Sequence, residues 1–80
     1  MKYIMYEDNS FVIFSPKDIH CEVNPAKEKQ AVSAGYVSLF ESPGGHGTVN
    51  IKAYCFGEST TMGLKSREKD SEIISNSFKL

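Results

Sequence analysis

Hydrophobic positions along this chain fall into short runs and alternations, with no long apolar block. Tyr3 to Tyr6 and Phe11 to Phe14 are two β-prone runs of aromatic and branched residues. Glu7-Asp8-Asn9-Ser10 between them has turn composition, so an antiparallel hairpin is expected. Ser15-Pro16 reads as an N-cap followed by proline at the first helical position, with Asp18 in the first turn. That pattern predicts a short helix from Pro16 to about Val23, ended before Pro25. Lys27-Glu28-Lys29-Gln30 then forms a polar connector of alternating charge.

The middle of the chain alternates as strands do. Over Ala34 to Glu41, Val37 and Leu39 share one face, while Tyr36, Ser38 and Phe40 share the other. Over Thr48 to Phe56 the alternation is cleaner, with Val49, Ile51, Ala53 and Cys55 opposed to Asn50, Lys52, Tyr54 and Phe56. Ser42-Pro43-Gly44-Gly45-His46-Gly47 is a turn joining these runs into a second hairpin. Thr60 to Leu64 reads as a short further strand interrupted by Gly63. From Ser66 to Leu80, Ile73, Ile74, Ser77 and Phe78 lie on one helical face behind a Ser66 N-cap, with Glu68 and Asp70 near the start. The expectation is a single α+β domain over 1–80. It has a small antiparallel sheet of four to five strands, a short middle helix and a C-terminal amphipathic helix packed on one face.

Composition adjusts this picture in three ways. At 80 residues with 40% hydrophobic content the chain folds, but its core is small and self-association would add burial. Nine basic against ten acidic residues give a net charge of -1, which offers no footprint for duplex nucleic acid. The N-terminal run is too short and too interrupted for a secretory or membrane-spanning segment, so a cytoplasmic protein with thiols at Cys21 and Cys55 is expected, Cys55 in the core. One helix cannot cover both faces of the sheet. The side carrying Tyr36, Phe40, Tyr54 and Phe56 is therefore expected to stay partly open as a homo-oligomer interface, unless a loop or the 16–23 helix covers it.

Candidate chemistry is sparse. A helix start presents unpaired N–H groups and partial positive charge, so Ser66, Arg67 and Lys65 with the hydroxyls of Ser59, Thr60 and Thr61 form a candidate anion site. The same residues also suit an ordinary capped helix with Arg67 paired to Asp70 or Glu68. His20 and Cys21 are adjacent, an orientation that does not make a thiolate pair, and a zinc site from His20, Cys21, His46 and Cys55 lacks paired-ligand spacing. No catalytic group, metal or cofactor is expected. His20 is a candidate for contacting a ligand or a neighbouring subunit. Tyr3, Tyr6, Phe11 and Phe14 resemble a stacking platform for single strands, but without a cationic groove beside them they read as core.

The opening KYIMYEDNSFVIFS, His20, SAGYV at Ser33 to Val37, CFGES at Cys55 to Ser59 and GLKSREKDSEII at Gly63 to Ile74 resemble segments of small proteins encoded by bacteriophages and prophages, particularly of gut bacteria. The resemblance supplies context and no catalytic residues. It implies a non-enzymatic protein that counters host defence by binding. The first expectation is a homo-oligomer that sequesters a small phosphorylated ligand, such as a cyclic nucleotide signal. Arg67, Ser66 and Lys65 would hold the phosphate, and Tyr36 or His20 would contact the base. The alternatives are an inhibitor that binds a host defence enzyme through the aromatic sheet face, and a minor structural or assembly protein.

Overall fold

The computed structural model describes residues 1–23, 28–44, 47 and 49–78. It is an α+β arrangement in which β1 (Lys2–Tyr6), β2 (Phe11–Phe14), β3 (Ala31–Pro43) and β4 (Val49–Phe56) form one antiparallel sheet in the order β2-β1-β3-β4. β1 is central, and Tyr3, Ile4, Met5 and Tyr6 are all buried because both faces of this strand are covered. The β1–β2 link closes as a three-residue hairpin loop. Asn9 N–H reaches Tyr6 O at 3.0 Å, Tyr6 N–H reaches Ser10 O at 2.9 Å, and Asn9 takes the left-handed conformation at φ 66.

The helix expected from Pro16 does not form. Ser15 and Pro16 spend their capping chemistry on a β-turn instead: Asp18 N–H bonds Ser15 O at 3.0 Å, and Lys17 N–H bonds Ser15 Oγ at 3.2 Å. Only one helical turn follows, α1 (His20–Val23). The strand expected over Thr60 to Leu64 is also corrected. The segment is mostly the turn of a second, two-stranded sheet, in which β5 (Glu58–Ser59) pairs with β6 (Leu64–Lys65). β3 runs further than expected at both ends, whereas Gly45 and His46 of the second turn and Thr48, the expected first residue of the next strand, lie outside the described residues.

Two coverings make the core. On one face α2 (Glu68–Ser77) sets Ile74 against Tyr3, Met5, Val37, Ala53 and Cys55. On the other, Met62 and Leu64 of the β5–β6 hairpin pack on Ile4, Tyr6 and Ala34. The hairpin reaches that face because the chain crosses over β3 directly after β4, with Gly57 at φ 74 making the turn. Gly35 lies beneath the crossing, where any side chain would strike the Phe56 carbonyl.

α2 also finishes the sheet edge. Ser71 and Ser75, one helical turn apart, accept the outward N–H groups of Cys55 and Ala53, each at 2.8 Å. The four-residue rise of about 6 Å from Ser71 to Ser75 matches two strand residues at about 6.7 Å, so two serines shield two rungs of β4 from further pairing. Replacing both by alanine is expected to cost about 1 to 2 kcal/mol, the lost bonds being partly offset by alanine's helix propensity. Amide exchange at Ala53 and Cys55 should accelerate, and unchanged protection there would show that the serines do not seal the edge.

Candidate functional site

Two places combine residues with chemistry. The first is the start of α2. Its N-cap is Arg67, one residue later than the expected Ser66, whose backbone N–H is bonded to Gly57 O at 3.0 Å. The anion at this helix start is the protein's own. Asp70, fully buried, takes the Arg67 N–H at 3.0 Å and the Tyr3 hydroxyl at 2.6 Å on one carboxylate oxygen. Its other oxygen takes Arg67 Nε at 3.0 Å and Nη2 at 2.8 Å.

The electrostatics follow from that geometry. Burial alone would raise the Asp70 pKa, but the neighbouring Ser33 hydroxyl, the Tyr3 phenol and the Arg67 guanidinium outweigh it, so the carboxyl sits below its ordinary value. Ser33 Oγ stands near enough to favour the carboxylate, yet it is buried without a hydrogen bond of proper geometry. Burial, then the bond to Asp70, pushes the Tyr3 phenol far above its usual range. Burial likewise raises the Cys55 thiol, which leaves it a poor nucleophile.

A depression of ≈ 390 Å³ beside this helix start is lined by Tyr54, Cys55, Ser66, Arg67, Glu68 and Ser71. A phosphate placed there would meet the Glu68 carboxylate and an arginine already neutralised by Asp70. The hydroxyls expected to help are elsewhere. Ser59 is buried and uses its Oγ on Thr61 Oγ1 at 3.2 Å and Met62 N–H at 3.3 Å. Thr60 and Thr61 occupy the tip of the β5–β6 hairpin, the end opposite Ser66 and Arg67, and Lys65 lies across from Glu58.

The second place is on the face that the hairpin covers only at Ile4, Tyr6 and Ala34, in the part toward β4 that it leaves open. Tyr36 and Phe56 are cross-strand partners with rings stacked at 5.8 Å and 20°, and Tyr54 continues the stack from Phe56 at 5.9 Å and 23°. The Tyr36 end is closed, with Lys2 Nζ at 6.0 Å from its ring and His20 edge-on at 6.3 Å. His20 itself is buried, its Nε2 bonded to Gly35 O at 2.9 Å, so it is a supporting residue and not an exposed contact. The other end is open: Tyr54 is 59% exposed, Phe56 42% and Phe40 56%.

The interface residues expected from alternation, Tyr36, Phe40, Tyr54 and Phe56, thus share one open face, while Arg67 belongs to the α2 side of the sheet. Tyr3 and Tyr6 are buried core, and Phe11 and Phe14 pack against that core. Sequence reasoning missed Asp70 and Ser33 as the buried centre. Asp70 does stand three residues after the N-cap, the capping-box spacing, but the Tyr3 contact 67 residues away leaves no local signal. Among the described residues, no group of three or more His, Cys, Asp and Glu side chains is placed to hold a metal ion, and no helix is long and apolar enough to cross a membrane. His46 and the Cys21 side chain lie outside the described residues. Compared with known proteins, the chain matches no protein-family model, no curated protein and no solved structure.

Proposed function

We propose that this chain is a non-enzymatic binding protein that holds its target against the open aromatic face of the sheet, and not at the start of α2. The Tyr36–Phe56–Tyr54 stack with Phe40 beyond it carries this reading, because rings that pack on one another and still face solvent offer large contact area at little further ordering cost. The helix start supports it from the other side, since the Arg67 guanidinium is already taken by Asp70 and Glu68 lines the depression beside it. With the resemblance to phage and prophage proteins, the target is a host defence component, blocked by being held. Sequestration of a small phosphorylated ligand belongs, on this reading, to the aromatic face.

A photo-crosslinking residue at position 54, compared with one at the exposed Lys69 of α2, tests the assignment. Position 54 should give a discrete crosslink that position 69 does not; equal patterns at both would refute the face. With the crosslinking residue kept at position 54, Phe40→Ser with Phe56→Ser should remove the crosslinked partner while shifting the unfolding midpoint by less than about 5 °C, as both rings are exposed.

A second reading, homo-oligomerisation through the same rings, is favoured by the outer part of the β3–β4 ribbon. There Leu39, 40% exposed, and Phe40, 56% exposed, put apolar side chains on opposite faces. In that case the position 54 crosslink joins two copies of this chain.

A further inference from the structure

We infer that the occupant of the aromatic face is single-stranded nucleic acid, its bases stacking on Tyr54 and its phosphates meeting Lys52 and Lys2. This rests on the reading of that face as the binding surface and adds the chemistry of the partner. The chain carries a net charge of -1, but its charges are unevenly placed. By strand alternation the face displays Lys2, opposite Tyr36, and Lys52, opposite Phe40, with no carboxylate among the β3 and β4 residues that share it. Glu58, the next acid along the chain, belongs to the hairpin that covers the neighbouring part of this face and lies opposite Lys65 there.

The rings themselves select for planar groups. Tyr36, Phe56 and Tyr54 are near-parallel plates, so the outer surface of Tyr54 is the next free place in a stack already under way. A base has the π-face to occupy it whatever its identity, whereas an aliphatic protein side chain gains nothing from the parallel orientation. Lys52 is exposed, and Lys2 is half-buried with Nζ donating to the Asp18 carbonyl at 2.6 Å. Four residues along β4 and two strand spacings separate the lysines by about 16 Å. A mononucleotide does not bridge that distance, but a short single strand does. Duplex DNA is excluded from the same contact because its bases are already stacked.

Fluorescence anisotropy of labelled ten-nucleotide oligothymidylate and oligouridylate with the full chain tests this, using adenosine monophosphate and a duplex as competitors. The expected result is binding with a log–log salt slope of about -1.4, as two phosphate contacts on a single strand require. Tyr54→Ala should weaken binding by about 5- to 150-fold, and Lys52→Gln should reduce the slope to about -0.7. Circular dichroism and the thermal midpoint confirm that both variants are folded. The inference is overturned if neither oligonucleotide binds, if Tyr54→Ala binds as wild type does, or if the mononucleotide or the duplex competes equally well. Should the oligonucleotides fail while the position 54 crosslink persists, the face remains the binding surface and its occupant is a protein or a second copy.

Discussion

Asp70→Ala is expected to remove a large part of this protein's stability. The variant strips the acceptor from the Tyr3 hydroxyl, from the Arg67 N–H and from two further guanidinium donors at once. The Tyr3 hydroxyl, fully buried, is left without its acceptor, while the Arg67 side chain is 30% exposed and still meets water, so the cost is about 3 kcal/mol, the low end for breaking a buried ion pair. At 80 residues the whole domain has on the order of 4 to 12 kcal/mol to lose. Thermal unfolding followed by circular dichroism should show the midpoint falling by about 15 °C or more. Arg67→Ala should cost less, since the backbone and Tyr3 bonds to Asp70 survive; equal losses in the two variants would mean that the carboxylate is not the hub.

The same carboxylate gives acid sensitivity. Its folded pKa lies below the ordinary 3.8, so protonation favours the unfolded chain. The stabilisation is fully present above about pH 5 and is lost as pH falls below 3.8 toward the depressed folded value. Urea midpoints measured across that range should decline in wild type and stay flatter in Asp70→Asn.

Gly35→Ala is the second large effect. Its new Cβ would lie 2.7 Å from the Phe56 carbonyl oxygen and 3.3 Å from two backbone atoms of Gly57. Backbone cannot rotate aside as a side chain can, so the crossing between β4 and β5 must lift, and with it the hairpin that seals Ile4, Tyr6 and Ala34. About 2 to 3 kcal/mol is expected from such overpacking. Gly63→Ala is the comparison: its φ of +67 is strained for alanine but nothing lies within 4 Å, so about 1 kcal/mol is lost there. If the two variants unfold together, Gly35 is not the pinch point.

What the sequence made legible was whatever depends on neighbours in the chain. The Tyr3–Tyr6 and Phe11–Phe14 runs, the face assignments in β3 and β4, and the Ile73–Ile74 helix are local periodicities, and each is found in the fold. Ser15-Pro16 misled because a serine oxygen and a fixed proline φ serve a β-turn as well as a helix start. The open face was legible for the same reason as the strands, since alternation alone puts Tyr36, Phe40, Tyr54 and Phe56 on one side. The helix start was legible only in part. The possible partnership of Arg67 with Asp70 shows in their spacing, but the depth of burial comes from Tyr3 and Ser33, which the sheet brings in from far along the chain.

That long reach bears on how the protein is made. Tyr3 leaves the ribosome 67 residues ahead of the Asp70 it bonds, which at ordinary translation rates is roughly 3 to 13 s. Within that interval β1, the most thoroughly buried strand among the described residues, gains its β3 neighbour once Pro43 is made and its hairpin cover once Lys65 is made, but its α2 cover only after Ile74. The apolar stretch from Tyr3 to Tyr6 is therefore exposed on one side in the nascent chain, and the sheet is not covered on both faces until α2 has been made.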